Sequence, residues 1–282
     1  MSEPANQDGP NPEDLVTWES TEGVATITIN APDSGNSLTG PMRDRITELM
    51  EWASADLAVR CVVLTASGQR HFCTGANLGG PQHPGPERPE GAPARAMGDA
   101  ARLIRRGWQR LIASILDCEK PVIAKVNGTA AGGGAQLVLA CDLVVMAADA
   151  KLVEVFVRRG IIPDAGGAYL LPRIVGTHVA KELMFLADDV SAQRCTELGI
   201  ANRVVAPSEL GREVDELAAR LAVAPTRAIA LTKGLINRSL ESGRHAAFED
   251  EAAAQDWLTA SGDFDEGIAA FRERRSPEFK GW

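Results

Sequence analysis

Two hydrophobic periods run through the chain. Gly23-Val-Ala-Thr-Ile-Thr-Ile-Asn30 is β-branched and mildly alternating, which predicts an early strand. A loop, Ala31 to Ser37, follows, and Pro41 stands where the first turn of a helix tolerates a missing N–H. Ile46, Leu49, Met50 and Ala53 recur at helical spacing, predicting an amphipathic helix from about Gly40 to Ala55. Cys61-Val-Val-Leu-Thr-Ala66 is a continuous apolar run, the pattern of a buried strand, so strand, helix and strand suggest a right-handed parallel crossover. Leu103, Ile104, Leu111, Ile112 and Ile115 define a long helix, and Val122–Val126 and Leu143–Ala147 read as further strands. Beyond Gly167 the pattern is helical. One helix carries Leu183, Phe185 and Leu186, and Ala201–Val205 is a short extended piece. Ser208 is placed to cap a helix carrying Leu210, Val214, Leu217 and Leu221, and the last two helices run roughly Thr226–Ala260 and Phe264–Arg275.

Composition narrows the function classes. The chain has 282 residues, enough for one large domain or two small ones. Its net charge of −9 argues against general nucleic-acid binding, which needs a basic face. Five cysteines (Cys61, Cys73, Cys118, Cys141 and Cys195) with no Cys-x-x-Cys pair suggest reduced thiols in a cytoplasmic protein. The four histidines show no metal-ligand spacing, and no metal is expected. No apolar stretch is long enough for a membrane span, so no membrane partner is expected. Residues 1–13 read as a polar, disordered leader, and residues 79–96, rich in Pro, Gly, Glu and Arg, read as a mobile loop or lid.

Two glycine-containing breaks carry the candidate chemistry. The strand Val122–Val126 turns through Asn127-Gly128, and Gly132, Gly133 and Gly134 lead straight into the apolar run Leu137–Ala140. A helix starting at such a break leaves backbone N–H groups unpaired, and these suit a phosphate, carboxylate or enolate oxygen. Three glycines can also be a plain flexible turn. The apolar flanks leave little slack for one. His71-Phe-Cys-Thr-Gly-Ala-Asn-Leu78 is a second break at the carboxyl end of a strand, where α/β sheets bind ligands.

Lys120-Pro-Val-Ile-Ala, Asn127-Gly, Gly132-Gly-Gly and Cys141-Asp142 together resemble the signature of the crotonase (enoyl-CoA hydratase/isomerase) superfamily, and the resemblance runs from about Val24 to the C-terminus. It implies an α/β fold, a ββα spiral core over residues 14–205, with a C-terminal helical region, 206–282, that packs trimers. The implied substrate is an acyl-CoA thioester, with coenzyme A as part of the substrate and no separate cofactor. The implied assembly is a homotrimer or a hexamer made of two trimers. The resemblance places oxyanion-hole N–H groups at Ala76 and Gly133. It also assigns substrate contacts to Cys73, Gly75, Asn77, Gly132, Gly134, Gln136 and Phe156, and CoA-phosphate contact to Lys280.

This chain departs from the family's two-glutamate hydratases at both acid/base positions, which hold Gln136 and Phe156. Neither side chain exchanges a proton near neutral pH. Asp164, in Ile162-Pro-Asp-Ala-Gly-Gly167, is the remaining carboxylate, and it is also well placed to be a helix N-cap. It matches the catalytic aspartate of the phenylacetate-pathway isomerase branch, which the flanking Tyr169-Leu-Leu-Pro-Arg173 and Arg275-Ser-Pro-Glu-Phe-Lys280 also resemble. Apolar neighbours such as Phe156 and Ile162 are expected to raise its pKa. Glu154 is the backup, with a solvated or ion-paired role beside Arg158 and Arg159 as its alternative. The leading reading is thus a 3-enoyl-CoA to 2-enoyl-CoA isomerase using Asp164. The alternatives are a hydratase with a non-standard acid/base set, an aryl-CoA displacement enzyme, and a non-catalytic acyl-CoA-binding protein.

Overall fold

The computed structural model describes residues 11–79, 88–94 and 96–282, so most of the expected leader and part of the 79–96 loop lie outside the described residues. Pro12–Leu15 form one helical turn. Ten strands follow among the described residues: β1 Val16–Thr21, β2 Val24–Ile29, β3 Cys61–Ala66, β4 His71–Cys73, β5 Val122–Val126, β6 Thr129–Ala131, β7 Leu143–Ala147, β8 Lys151–Val153, β9 Val190–Ser191 and β10 Arg203–Val205.

They sort into two sheets. The larger has the order β1-β2-β3-β5-β7-β10 and the smaller β4-β6-β8-β9. The β1–β2 hairpin and the β8–β9 pair are antiparallel, while the other pairings are parallel. Each turn of the chain therefore lays one strand in each sheet before entering helical structure. β3 and β4 precede the helical stretch Asp99–Leu116, β5 and β6 precede the helix Gly133–Ala140, and β7 and β8 precede the turn Val155–Arg159. This repeated ββα winding is the expected spiral.

The apolar runs explain the larger sheet. All six residues of β3 are buried, as befits a parallel strand covered on both faces. The helix Gly40–Ala55 has the expected limits, and its Thr39 hydroxyl accepts a cap hydrogen bond from the Met42 N–H. Buried Asn36 ties the site-side loops together. Its Nδ2 donates to the carbonyls of Ser67 and His71, and its Oδ1 accepts from the Ala31 N–H.

The C-terminal half departs from the pattern in three places. Strand β9 interrupts what reads as helical sequence, while β10 falls within the expected extended piece Ala201–Val205. Ser208 lies in a 3₁₀ turn, and the helix Leu210–Ala222 starts from Glu209 with no side-chain cap. The run expected as one helix, Thr226–Ala260, is two, Thr226–Ser239 and Arg244–Leu258, broken around Gly243. Apolar periodicity continues across the break, and periodicity alone does not register a change of direction.

Candidate active site

The two glycine breaks meet in space. After β4 the chain turns at Gly75, whose φ of 93° is open to glycine and strained for other residues. Leu38 donates to the Gly75 carbonyl at 2.8 Å and accepts from the Asn77 N–H at 3.0 Å, so this segment runs beside Leu38 as a short parallel bridge. Peptide groups alternate sides in extended chain, which turns the Ala76 N–H away from Leu38. A Cβ on Gly75 would lie 3.1 Å from the Gly133 nitrogen, so the two breaks are in direct contact. Ala76 is exposed, and among the described residues neither its N–H nor that of Gly133 donates a hydrogen bond. The two loops that carry these N–H groups are therefore neighbours in the fold.

The glycine triplet owes its composition to this packing. Gly132 has φ +54° and caps the helix Gly133–Ala140 without any side-chain bond. A Cβ on Gly134 would collide with the carbonyl of Cys73, which lets the helix start abut β4 directly. Cys73 is buried, its thiol is pushed up to about 12 by desolvation, and its sulfur accepts weakly from the Gly75 N–H. It packs and is not a reactive thiol. Asn77 Oδ1 accepts from the Gly79 N–H and shapes the end of the loop.

Over Gly133 lies the indole of Trp108, against which any Cβ there would collide. The expected long helix supplies it. Asp99–Ile104 and Arg110–Leu116 are α-helical, and the intervening Arg105–Gln109 is a π turn. Such insertions re-aim side chains and cluster at functional sites. Trp108 in turn packs on Arg43, whose guanidinium carbon is 5.2 Å from the ring centroid.

Asp164 occupies the turn before the helix Gly167–Val175. That helix is capped by Gly166 with no side-chain hydrogen bond, so Asp164 is not its N-cap. The carboxyl is half-buried and its pKa is raised, chiefly by desolvation; its own backbone N–H and the Arg43 guanidinium pull the other way. Gln109, in the π turn below Trp108, reaches the Asp164 carbonyl at 3.5 Å. Ile162 is 75% exposed and contributes little to that desolvation, contrary to expectation. Phe156 is buried, its ring tip 3.9 Å from where a Gly132 Cβ would be.

Glu154 differs from its expected surface role. It is 1% exposed, and Gln136 Nε2 donates to both its carboxylate oxygens, at 3.0 and 2.9 Å. Burial raises its pKa to about 7, with the Gln136 bond opposing. Arg158 instead pairs with Asp189. Gln136 is itself fully buried and its Oε1 has no partner among the described residues.

Lys280 has an exposed side chain, but its backbone is held: the N–H donates to Asp263 Oδ1 at 2.7 Å and the carbonyl accepts from Arg60 at 2.8 Å. All five cysteines are free thiols. Sequence reasoning missed Arg43 and Trp108. Arg43 had a signal, since it falls on the same helix stripe as Ile46, Thr47 and Met50, all buried. Trp108 continues the stripe of Ile104, Leu111 and Ile115, where it reads as ordinary core.

The profile of the Enoyl-CoA hydratase/isomerase family matches residues 19–282. The chain belongs to this family. It is 36% identical to the 1,2-epoxyphenylacetyl-CoA isomerase of Escherichia coli, over 92% of this chain and 96% of that one. A probable enoyl-CoA hydratase of Rhodobacter capsulatus is 35% identical over 94% of this chain and 98% of its own. The crystal structure of a putative enoyl-CoA hydratase from Streptomyces coelicolor superimposes with a TM-score of 0.85 at 32% identity, covering 100% of both chains.

Proposed function

We propose that this enzyme shifts a double bond in an acyl-CoA thioester, converting a 3-enoyl-CoA to a 2-enoyl-CoA with Asp164 as the single acid/base. One observation carries the reading. The two hydratase glutamate positions hold Gln136 and a buried Phe156, while a half-buried carboxyl with a raised pKa stands in the turn against Gln109 and near Arg43. In the reaction Asp164 removes a proton from C2, and the electron pair moves onto the thioester oxygen. The Ala76 and Gly133 N–H groups hold that oxygen. The dienolate then collapses with the double bond between C2 and C3 as the same carboxyl returns the proton to C4. No atom is gained or lost, and the thioester itself is the electron sink, so no cofactor is required. A raised pKa makes Asp164 a better base than an exposed aspartate.

Hydration is the second reading. The relatives named as hydratases favour it, as does the near-neutral pKa of Glu154. Against it, Glu154 lies behind Gln136 with almost no exposure. In this proposal the enzyme works in the cytoplasm as a homotrimer or a pair of trimers. The described residues contain no helix long and apolar enough to cross a membrane.

The test is incubation with a 3-enoyl-CoA in deuterated water, following conjugation by ultraviolet absorbance and product mass, with a 2-enoyl-CoA as hydration control. Conjugated product without added water is expected, reduced about 10²-fold or more in Asp164→Asn. Rapid formation of 3-hydroxyacyl-CoA from the control, or undiminished turnover in Asp164→Asn, would overturn the isomerase reading.

A further inference from the structure

Arg43 is a cation in the core. It is 3% exposed, on the inward face of the helix Gly40–Ala55, and burial lowers its pKa. Taking a guanidinium out of water is costly unless its surroundings compensate it. The compensation here is sparse and points one way. Nη1 donates a long bond to the Leu38 carbonyl at 3.4 Å, and Nε has no partner among the described residues. The guanidinium packs on the Trp108 ring and lies beside Gly107. Two carboxylates act on it through space: Asp44 on its own helix, and Asp164.

We propose that Arg43 is a positioning residue of this active site, holding the Trp108 indole against Gly133 and the Leu38 carbonyl beside the Ala76 turn while presenting its positive charge toward Asp164. This role rests on the reading of Asp164 as the base. The connections fit it. The Leu38 carbonyl that Arg43 touches is the one that accepts from Asn77 and so sets the direction of Ala76. The ring that Arg43 touches packs on the Cα side of Gly133, the residue that carries the second oxyanion N–H. One buried cation thus contacts a neighbour of each half of the oxyanion site, Leu38 on one side and Trp108 on the other. A planar guanidinium can stack on an indole and donate in its own plane at the same time, which an ammonium cannot. The π turn is what brings Trp108 to it. Among the charged groups of the packed elements, Arg43 is the one whose field reaches Asp164, and Gln109, the other neighbour, is neutral.

The experiment compares Arg43→Gln, Arg43→Lys, Trp108→Phe and Asp164→Asn by kcat and KM across pH, near-ultraviolet circular dichroism and thermal melting. Arg43→Gln should lower kcat about tenfold or more, with KM changed less, because geometry in the reacting complex is lost. Its acid limb in kcat/KM should move to higher pH, because the cation that favours ionised Asp164 is gone. The indole dichroism band identified with Trp108→Phe should weaken. Arg43→Lys should restore the position of the acid limb and leave the band weak. A wild-type acid limb and band in Arg43→Gln would overturn the proposal, as would losses in both Arg43 variants that follow a lowered melting temperature alone. Full turnover in Asp164→Asn would instead refute Asp164 as the base, and the dichroism band and kcat of Arg43→Gln would then decide Arg43's positioning role separately.

Discussion

Glu154 shows what a single residue's surroundings decide. A carboxyl whose ordinary pKa is 4.5 is raised to about 7 because its charged form is desolvated and the one bond from Gln136 does not compensate. The folded state therefore binds this proton more tightly than the unfolded chain. Its contribution to stability is complete below about pH 4.5 and is lost as pH rises through about 7, an effect of up to about 3 kcal/mol. Urea unfolding of the wild type and Glu154→Gln should show it. The stability of the wild type relative to the variant is expected to fall between pH 5 and pH 8, and parallel curves would refute the assignment. Glu154 was legible as a residue near the site, but the sequence did not show which way it faced. Alternation along β8 and the turn after it left both a buried and a solvated orientation open.

Individual elements are held by contacts that sequence periodicity does not report. The helix Thr226–Ser239 carries Lys233, whose side chain is 7% exposed and whose Nζ donates to Asp142 Oδ2 at 2.8 Å and to the Ile115 carbonyl at 2.9 Å. Asp142 also accepts from the Val122 N–H at 2.7 Å, so one carboxylate joins the C-terminal helix to the start of β5. Removing the lysine leaves that part-buried carboxylate with only the Val122 N–H and without its counter-charge, and takes the donor from the Ile115 carbonyl. Lys233→Met should cost about 3 kcal/mol in denaturant unfolding, and a loss below about 1 kcal/mol would mean that water replaces the lysine freely. The positions of β2, β3, β5 and β7 followed from apolar runs because buried parallel strands must be apolar, while the short or edge strands β1, β6 and β8 carried no such run. The C-terminal boundaries followed less well, since exposed helices joined at Gly243 keep one polar-apolar rhythm through a change of direction.

At the scale of the whole molecule, the end of the chain is clipped onto the segment that leads into β3. Arg60, just before β3, donates to the carbonyls of Lys280 and Ala224 and to the Thr226 hydroxyl, while Asp263 accepts from the N–H groups of Lys280 and Gly281. The tail around Lys280 is thus an ordered part of the fold, with its lysine side chain exposed. Asp263→Ala should release it. Trypsin is then expected to cut after Lys280 at least several-fold faster, seen by mass as loss of Gly281-Trp282, because cleavage follows the population of the open segment. Unchanged cleavage would show that Arg60 alone suffices.

The sequence by itself determined the family, the long parallel apolar strands and the placement of Ala76 and Gly133 at two glycine breaks, and it puts Gln136 and Phe156 where the family resemblance expects glutamates. These are local matters of residue type and spacing. Only the tertiary structure decided that Gly166 and not Asp164 caps the helix, that Glu154 turns inward to Gln136, and that Arg43 and Trp108 pack together against Gly133. The last two depend on residues more than ten positions apart being brought together, and the energy of a buried charge is set by such neighbours rather than by its place in the chain.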